Sequence, residues 1–132
     1  AGAAIVLDAT DSGERMRPGP IDRERWTRDP LAELARVYVA IPSIHQRPNH
    51  RLLAWLKREI EQRGVQGLIL RRYVWCDLWH AEARRIAEEV GVPVLDLQID
   101  GESDATDART ATRIGSFIEM IGRSVRLNEG EK

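Results

Sequence analysis

One short apolar run constrains this chain more than any other feature. Gly67-Leu68-Ile69-Leu70 follows Gly64 closely and leads into Arg71-Arg72-Tyr73-Val74-Trp75-Cys76-Asp77. Its apolar character is continuous and it is too short for a stable helix, so 67–70 reads as a strand covered on both faces. On its amino-terminal side, Leu52, Leu53, Leu56 and Ile60 follow the spacing of a buried helical stripe. Gly64 then stands where a helix C-terminus prefers glycine. On the other side, Ala83, Ile86, Ala87 and Val90 mark a helix over 78–90, with Arg84–Glu88 and Arg85–Glu89 as solvated i,i+4 pairs. Gly91-Val92-Pro93 turns the chain into a second apolar run, Val94-Leu95-Asp96-Leu97-Gln98. A strand, a helix of about three turns and a strand make a βαβ crossover, and hence a parallel sheet.

The remaining segments extend the same alternation. Ala3-Ala4-Ile5-Val6-Leu7 is another continuous apolar run, expected to be a strand, and it ends in the turn formers Asp8-Ala9-Thr10-Asp11-Ser12-Gly13. Residues 14–29, broken by Pro18, Gly19 and Pro20, are expected to be irregular. Asp29-Pro30 is a helix start, with Leu31, Leu34, Ala35 and Tyr38 as its expected apolar face and Ile41-Pro42-Ser43 as its stop. A second helix is expected from about Pro48 to Gly64. The last helix carries Ile114, Phe117, Ile118, Ile121 and Val125 at helical spacing. The expected fold is α/β, a three-layer sandwich with a small parallel sheet of Rossmann or flavodoxin type, in βααβαβα order. The 132 residues suffice for a single α/β domain over 1–132 with its own core. The start Ala1-Gly2-Ala3-Ala4-Ile5 has neither an initiator Met nor a basic segment, and is read as the cut edge of the carboxyl-terminal part of a longer subunit rather than a signal peptide.

Composition narrows the function classes. A net charge of −1 gives no bulk attraction to nucleic acid or to an anionic membrane. No apolar run approaches the ~20 residues that span a bilayer. The single cysteine, Cys76, excludes an internal disulfide and fits a reducing, cytoplasmic compartment.

In a parallel sheet, chemistry collects where strand carboxyl ends meet the following helices. The loops at 8–13, 73–77 and 98–102 are expected to share that edge. Cys76 lies in the middle one, just ahead of a helix whose first amides lack intrahelical acceptors, a setting that favours a thiolate. Free cysteine is also among the most buried residue types, so a small packing role for Cys76 stands beside the functional one. His80, four residues on, shares a helix face with Cys76 or serves simply as an exposed side chain. Asp8, Asp11 and Asp100 face a site or act as plain turn formers. Arg15, Arg17, Arg71 and Arg72 are candidates for charge-assisted contacts to phosphates, against the commoner reading of surface arginines. Trp26 and the 18–20 loop are candidates for docking another subunit. His45 and His50 lack the i,i+4 spacing of a zinc helix, and Asp11-Ser12-Gly13 lacks a phosphate-loop pattern.

Gly64-Val65-Gln66-Gly67-Leu68-Ile69, Trp75-Cys76-Asp77, Gly91-Val92-Pro93-Val94-Leu95 and Thr112-Arg113-Ile114-Gly115-Ser116-Phe117-Ile118-Glu119-Met120-Ile121 occur here in an order and spacing characteristic of one family. The chain resembles, from about Ile5 to Ile121, the carboxyl-terminal part of 2-hydroxyacyl-CoA dehydratase and benzoyl-CoA reductase subunits. The resemblance implies an oxygen-sensitive enzyme subunit of anaerobic metabolism holding a 4Fe-4S cluster. Its partners would be a homologous second subunit, an ATP-dependent activator that donates low-potential electrons, and an acyl-CoA substrate. The reaction would be elimination of water from a 2-hydroxyacyl-CoA (a lyase) or ring reduction of an aromatic acyl-CoA (an oxidoreductase), with the wording Trp-Cys-Asp-Leu-Trp-His leaning to the latter.

Cys76 matches the cluster-ligating cysteine, a ligand to iron. Asp11, Ser12, Tyr73, Trp75, Asp77, His80 and Asp100 fall in the expected vicinity of substrate or cluster, with Tyr73, Trp75 and Trp79 shielding it. The chain departs from the resemblance near Asp11, where many relatives carry a cysteine, and at Ser43, where a cysteine sometimes follows Ile-Pro. The remaining ligands are therefore expected outside this chain, the piece alone is expected to be inactive, and a cluster-free scaffold subunit shaping the acyl-CoA cleft is the alternative. A flavodoxin-like nucleotide module rests on fold alone.

Overall fold

The computed structural model describes residues 2–100 and 108–129. These form a small α/β sandwich, in which Leu68–Tyr73 (β1) and Val94–Ile99 (β2) make a two-stranded parallel sheet. Five α-helices accompany it: Arg23–Arg28 (α1), Pro30–Val39 (α2), His50–Arg63 (α3), Asp77–Glu89 (α4) and Ala108–Glu129 (α5). The fold separates into two compact units, one of Ala1–Val6 with Leu56–Lys132 and one of Leu7–Trp55.

The unit containing the sheet is built as the apolar pattern requires. The strands pair in register from Leu68↔Val94 to Tyr73↔Ile99. Leu68, Leu70 and Arg72 therefore share one sheet face with Val94, Asp96 and Gln98, while Ile69, Arg71 and Tyr73 share the other with Leu95, Leu97 and Ile99. α4 packs on both strands and α5 on β2. Leu56, Ile60, Ile86, Val90, Leu97, Ile99 and Phe117 are buried. Gly64, at φ 60°, and Gly91, at φ 76°, end α3 and the α4 segment in the left-handed conformation that glycine tolerates. Lys57 bonds Glu89 across α3 and α4 at 2.9 Å, and Arg113 donates to the Asp96 carbonyl at 2.8 Å, tying α5 to β2.

Gly67 is small because α5 passes directly over it. A Cβ there would run into Ile121 Cδ1 and come within 3.0 and 3.2 Å of the Phe117 ring. Gly67→Ala needs the flexible tip of Ile121 to move and the Phe117 ring to give slightly, whereas Gly67→Val must displace Phe117. The valine variant is expected to lose about 1–3 kcal/mol in urea unfolding, with the alanine variant close to the parent.

Two expectations for this unit change. Ala3-Ala4-Ile5-Val6-Leu7 forms no strand: Ile5 is 91% exposed, and the Val6 carbonyl accepts from Arg63 Nη1 at 3.0 Å rather than from a neighbouring strand. Without that strand the element order is ααα-β-α-β-α, and the 8–13 loop follows no strand end. β1 also runs past the expected limit at Leu70 through Tyr73, because Arg72 finds a partner on β2. The end of the expected 98–102 rim loop, from residue 101 on, lies outside the described residues.

The Leu7–Trp55 unit is anchored by polar contacts as much as by apolar ones. Val37, Ile41, Ile44, Leu52 and Leu53 are buried, the last two from the expected stripe of α3. The expected face of α2 is not the buried one. Leu31 and Tyr38 are 78% and 59% exposed, whereas Glu33 and Val37 are inside. Glu33 accepts Arg36 Nε at 2.7 Å and Nη2 at 2.5 Å, and the backbone N–H of Asp22 at 2.7 Å. α1 also departs from the irregular structure expected over 14–29. It buries no residue and is set by Asp22, whose carboxylate accepts from the amides of Glu24 and Arg25.

Chiefly through its hydrogen bonds from Arg36, Glu33 is held down from the usual 4.5 to about 2. With the folded pKa below the ordinary one, ionised Glu33 stabilises the fold fully above pH 4.5, and that contribution is lost as pH falls toward 2. Comparing acid unfolding of the parent and Glu33→Gln should therefore show the parent's advantage constant near neutrality and shrinking across that window.

Candidate functional site

The sheet's carboxyl rim shapes the turn that holds Cys76. Val74 N–H donates to the Ile99 carbonyl at 2.9 Å, carrying the β1–β2 ladder one step beyond Tyr73. The chain then reverses, with Cys76 N–H donating to the Tyr73 carbonyl at 3.1 Å. The Cys76 carbonyl accepts the N–H of His80 at 2.9 Å, the bond that opens α4. Cys76 is thus the N-cap residue, at φ −89° and ψ 87°, and its side chain makes no capping bond. The amides of Asp77 and Leu78 precede that first helical bond and have no intrahelical acceptor, so the positive end of α4 lies beside the sulfur. Cys76 is half-buried rather than enclosed in the core.

Tyr73, Trp75, Asp77 and His80 gather around this turn. The Tyr73 and Trp75 rings stack on each other, with centroids 5.1 Å apart and planes 14° apart. They form an open platform, Tyr73 46% and Trp75 62% exposed. Trp79 is half-buried, whereas Asp77 and His80 are exposed. Asp100, also exposed, directly follows Ile99, which accepts the Val74 bond.

Asp11 and Ser12 belong to the Leu7–Trp55 unit. Their turn is set by Asp8, which accepts the Thr10 N–H at 2.9 Å, and by Gly13, pressed against the Asp8 carboxyl and carbonyl. The hydrogen bonds from Thr10 hold the Asp8 carboxyl below its ordinary pKa. Ser12 Oγ lies 3.3 Å from Thr10 Oγ1. Arg15, buried to 3% exposure, gathers this loop: Nε donates to the Ala9 carbonyl at 2.9 Å, Nη1 to the Pro42 carbonyl at 2.7 Å, and Nη2 pairs with Asp11. A single guanidinium therefore ties Asp11 to the segment carrying Ser43, whose Oγ accepts the His45 N–H at 3.2 Å. Among the described residues, no group of three or more His, Cys, Asp or Glu side chains is placed to hold a metal ion.

The structure adds a pair that the sequence reading missed. Arg72, its side chain only 2% exposed, donates Nε and Nη2 to the two carboxylate oxygens of Asp96 at 2.9 and 2.8 Å. A carboxylate in the middle of an apolar strand requires such a partner, and Asp96 within Val94-Leu95-Asp96-Leu97 was the available signal. The pair lines an open cleft of about 380 Å³ with Val94 and Gln98 of β2 and His80, Ala83, Arg84 and Ala87 of α4.

Residues 1–121 match the family model described as HGD-D, 2-hydroxyglutaryl-CoA dehydratase, D-component. The chain belongs to this dehydratase family. No curated protein and no solved structure matches it. The match covers every segment on which the resemblance to 2-hydroxyacyl-CoA dehydratases rests, including the Cys76 turn. Within this family member, no helix among the described residues is long and apolar enough to cross a membrane.

Proposed function

We propose that this chain is part of a subunit of an acyl-CoA dehydratase or reductase complex, in which Cys76 supplies one thiolate ligand to a 4Fe-4S cluster. The observation that carries the reading is the position of the sulfur: half-buried, at the N-cap of α4, and engaged in no capping bond. Iron–sulfur clusters are held by thiolates, and nearby backbone N–H groups tune them. The amides of Asp77 and Leu78 are the donors available at this turn. Cys76 fits as a single ligand, and the described residues do not complete a set, so the other ligands come from outside this chain. When bound, such a cluster supplies single low-potential electrons to the acyl-CoA. The residues of this chain would do other work: Cys76 anchors, the α4 amides orient, and the Tyr73–Trp75 platform flanks the rim. A homologous second subunit, an ATP-dependent activator and an acyl-CoA complete the proposed assembly, which we place in the cytoplasm.

A second reading has its own observation. Asp11 and Ser43 stand near positions where the resemblance puts cysteine in many or some relatives, and both are committed to loop structure, Asp11 through Arg15 and Ser43 through the His45 amide. This favours a cluster-free scaffold subunit that shapes the acyl-CoA cleft of a catalytic homologue. Anaerobic purification of the subunit free of its partner separates the two. Stoichiometric iron with cluster absorbance is the expected result, and an iron-free, colourless subunit that still assembles with its partner supports the scaffold instead.

A further inference from the structure

The cleft beneath α4 holds an excess of hydrogen-bond donors that its own carboxylate does not consume. Asp96 is engaged at both oxygens by Nε and Nη2 of Arg72, and Nη1 of the same guanidinium is buried with no hydrogen-bond partner. A buried N–H without an acceptor is costly, and a charged one more so. Arg84 also lines the cleft; its side chain is 89% exposed and gives Nε to Glu88 at 2.7 Å. His80 and the Gln98 amide add further polar groups. Two guanidinium groups thus line the cleft, one buried against Asp96 and one largely in solvent, with Ala83, Ala87 and Val94 as its apolar lining.

We propose that this cleft is a binding subsite for an oxyanionic group, a carboxylate or a phosphate, received by Arg72 Nη1 and Arg84, with His80 and Gln98 at its edge. The planar, forked donors of arginine suit both anions. The buried Arg72–Asp96 pair fixes one guanidinium in place, so little side-chain freedom is lost when the anion arrives. Because the His80 N–H closes the first helical bond on the Cys76 carbonyl, the cleft opens one helical turn from the cysteine. The proposal does not depend on a cluster being bound there.

The test is NMR titration of the full chain at constant ionic strength, with inorganic phosphate in one arm and butyrate in the other. Saturable shifts of the His80 ring and of the Ala83 and Ala87 amides are expected, with a Kd on the order of 1 mM for such small probes. Saturation by phosphate alone assigns a phosphate, saturation by butyrate alone assigns a carboxylate, and either outcome supports the subsite. Ala83→Leu keeps a good helix former and fills the cleft, and should weaken binding at least about tenfold. Arg84→Gln should weaken it several-fold without touching the buried pair. Absence of saturation with both probes, or affinity unchanged in Ala83→Leu and Arg84→Gln, overturns the proposal.

Discussion

Replacing Asp96 by alanine is expected to destabilise the sheet-containing unit by roughly 2–4 kcal/mol. Removing one partner of a buried ion pair costs about 3–5 kcal/mol because the other charge stays behind without compensation, and the range is lowered here because Asp96 itself is partly solvated. The Arg72 side chain is 2% exposed and that of Asp96 36%, so the guanidinium is the group left stranded. The double variant Arg72→Met/Asp96→Leu removes both charges and keeps most of the volume. It should recover at least half of the loss, because a buried pair often holds its place no better than apolar side chains of similar size. Urea unfolding of the two single variants and the double one measures the coupling directly. If Asp96→Ala unfolds within about 0.5 kcal/mol of the parent, the pair is not what holds Arg72 inside.

That pair also marks the boundary of what could be read from the amino-acid sequence. Leu52, Leu53, Leu56 and Ile60, with Gly64 after them, announced α3 because a helical stripe and its stop are local features, and the structure buries all four leucine and isoleucine side chains. β1 was cut short at Leu70 because two arginines read as loop. The strand continues because Arg72 has a carboxylate 24 residues away, a contact no window of neighbouring residues contains. The same reasoning inverted the faces of α2: Leu31 and Tyr38 carry the hydrophobicity, but Glu33 is the buried residue since Arg36 and the Asp22 amide satisfy it. Residues 3–7 show the opposite failure. Their composition is that of a strand, yet a strand exists only if a ladder receives it, and here a guanidinium takes the Val6 carbonyl. At the site, the place of Cys76 between a strand and a helix was legible because the strand end, the turn and the cap are consecutive. The cleft was not, since it joins residues of β1, β2 and α4 that only the register brings together.

The position of Cys76 makes its substitution unusually informative, because the two roles open to this sulfur predict opposite changes in stability. Cysteine is a poor N-cap residue and here makes no capping bond, whereas serine is among the preferred ones. Cys76→Ser in the metal-free chain should therefore leave stability unchanged or raise it by up to about 1 kcal/mol. A cysteine retained for packing would instead lose on the order of 1 kcal/mol or more when its sulfur is replaced by a polar oxygen. In the assembled subunit, Cys76→Ala should abolish cluster absorbance and remove most of the iron, since it removes the thiolate such a cluster needs. Cys76→Ser checks that this loss comes from ligation and not from misfolding, because it repairs the cap while removing the thiolate. Stability gained together with iron lost identifies a ligand. Stability lost together with iron retained returns Cys76 to the core, and the redox role proposed for this chain goes with it.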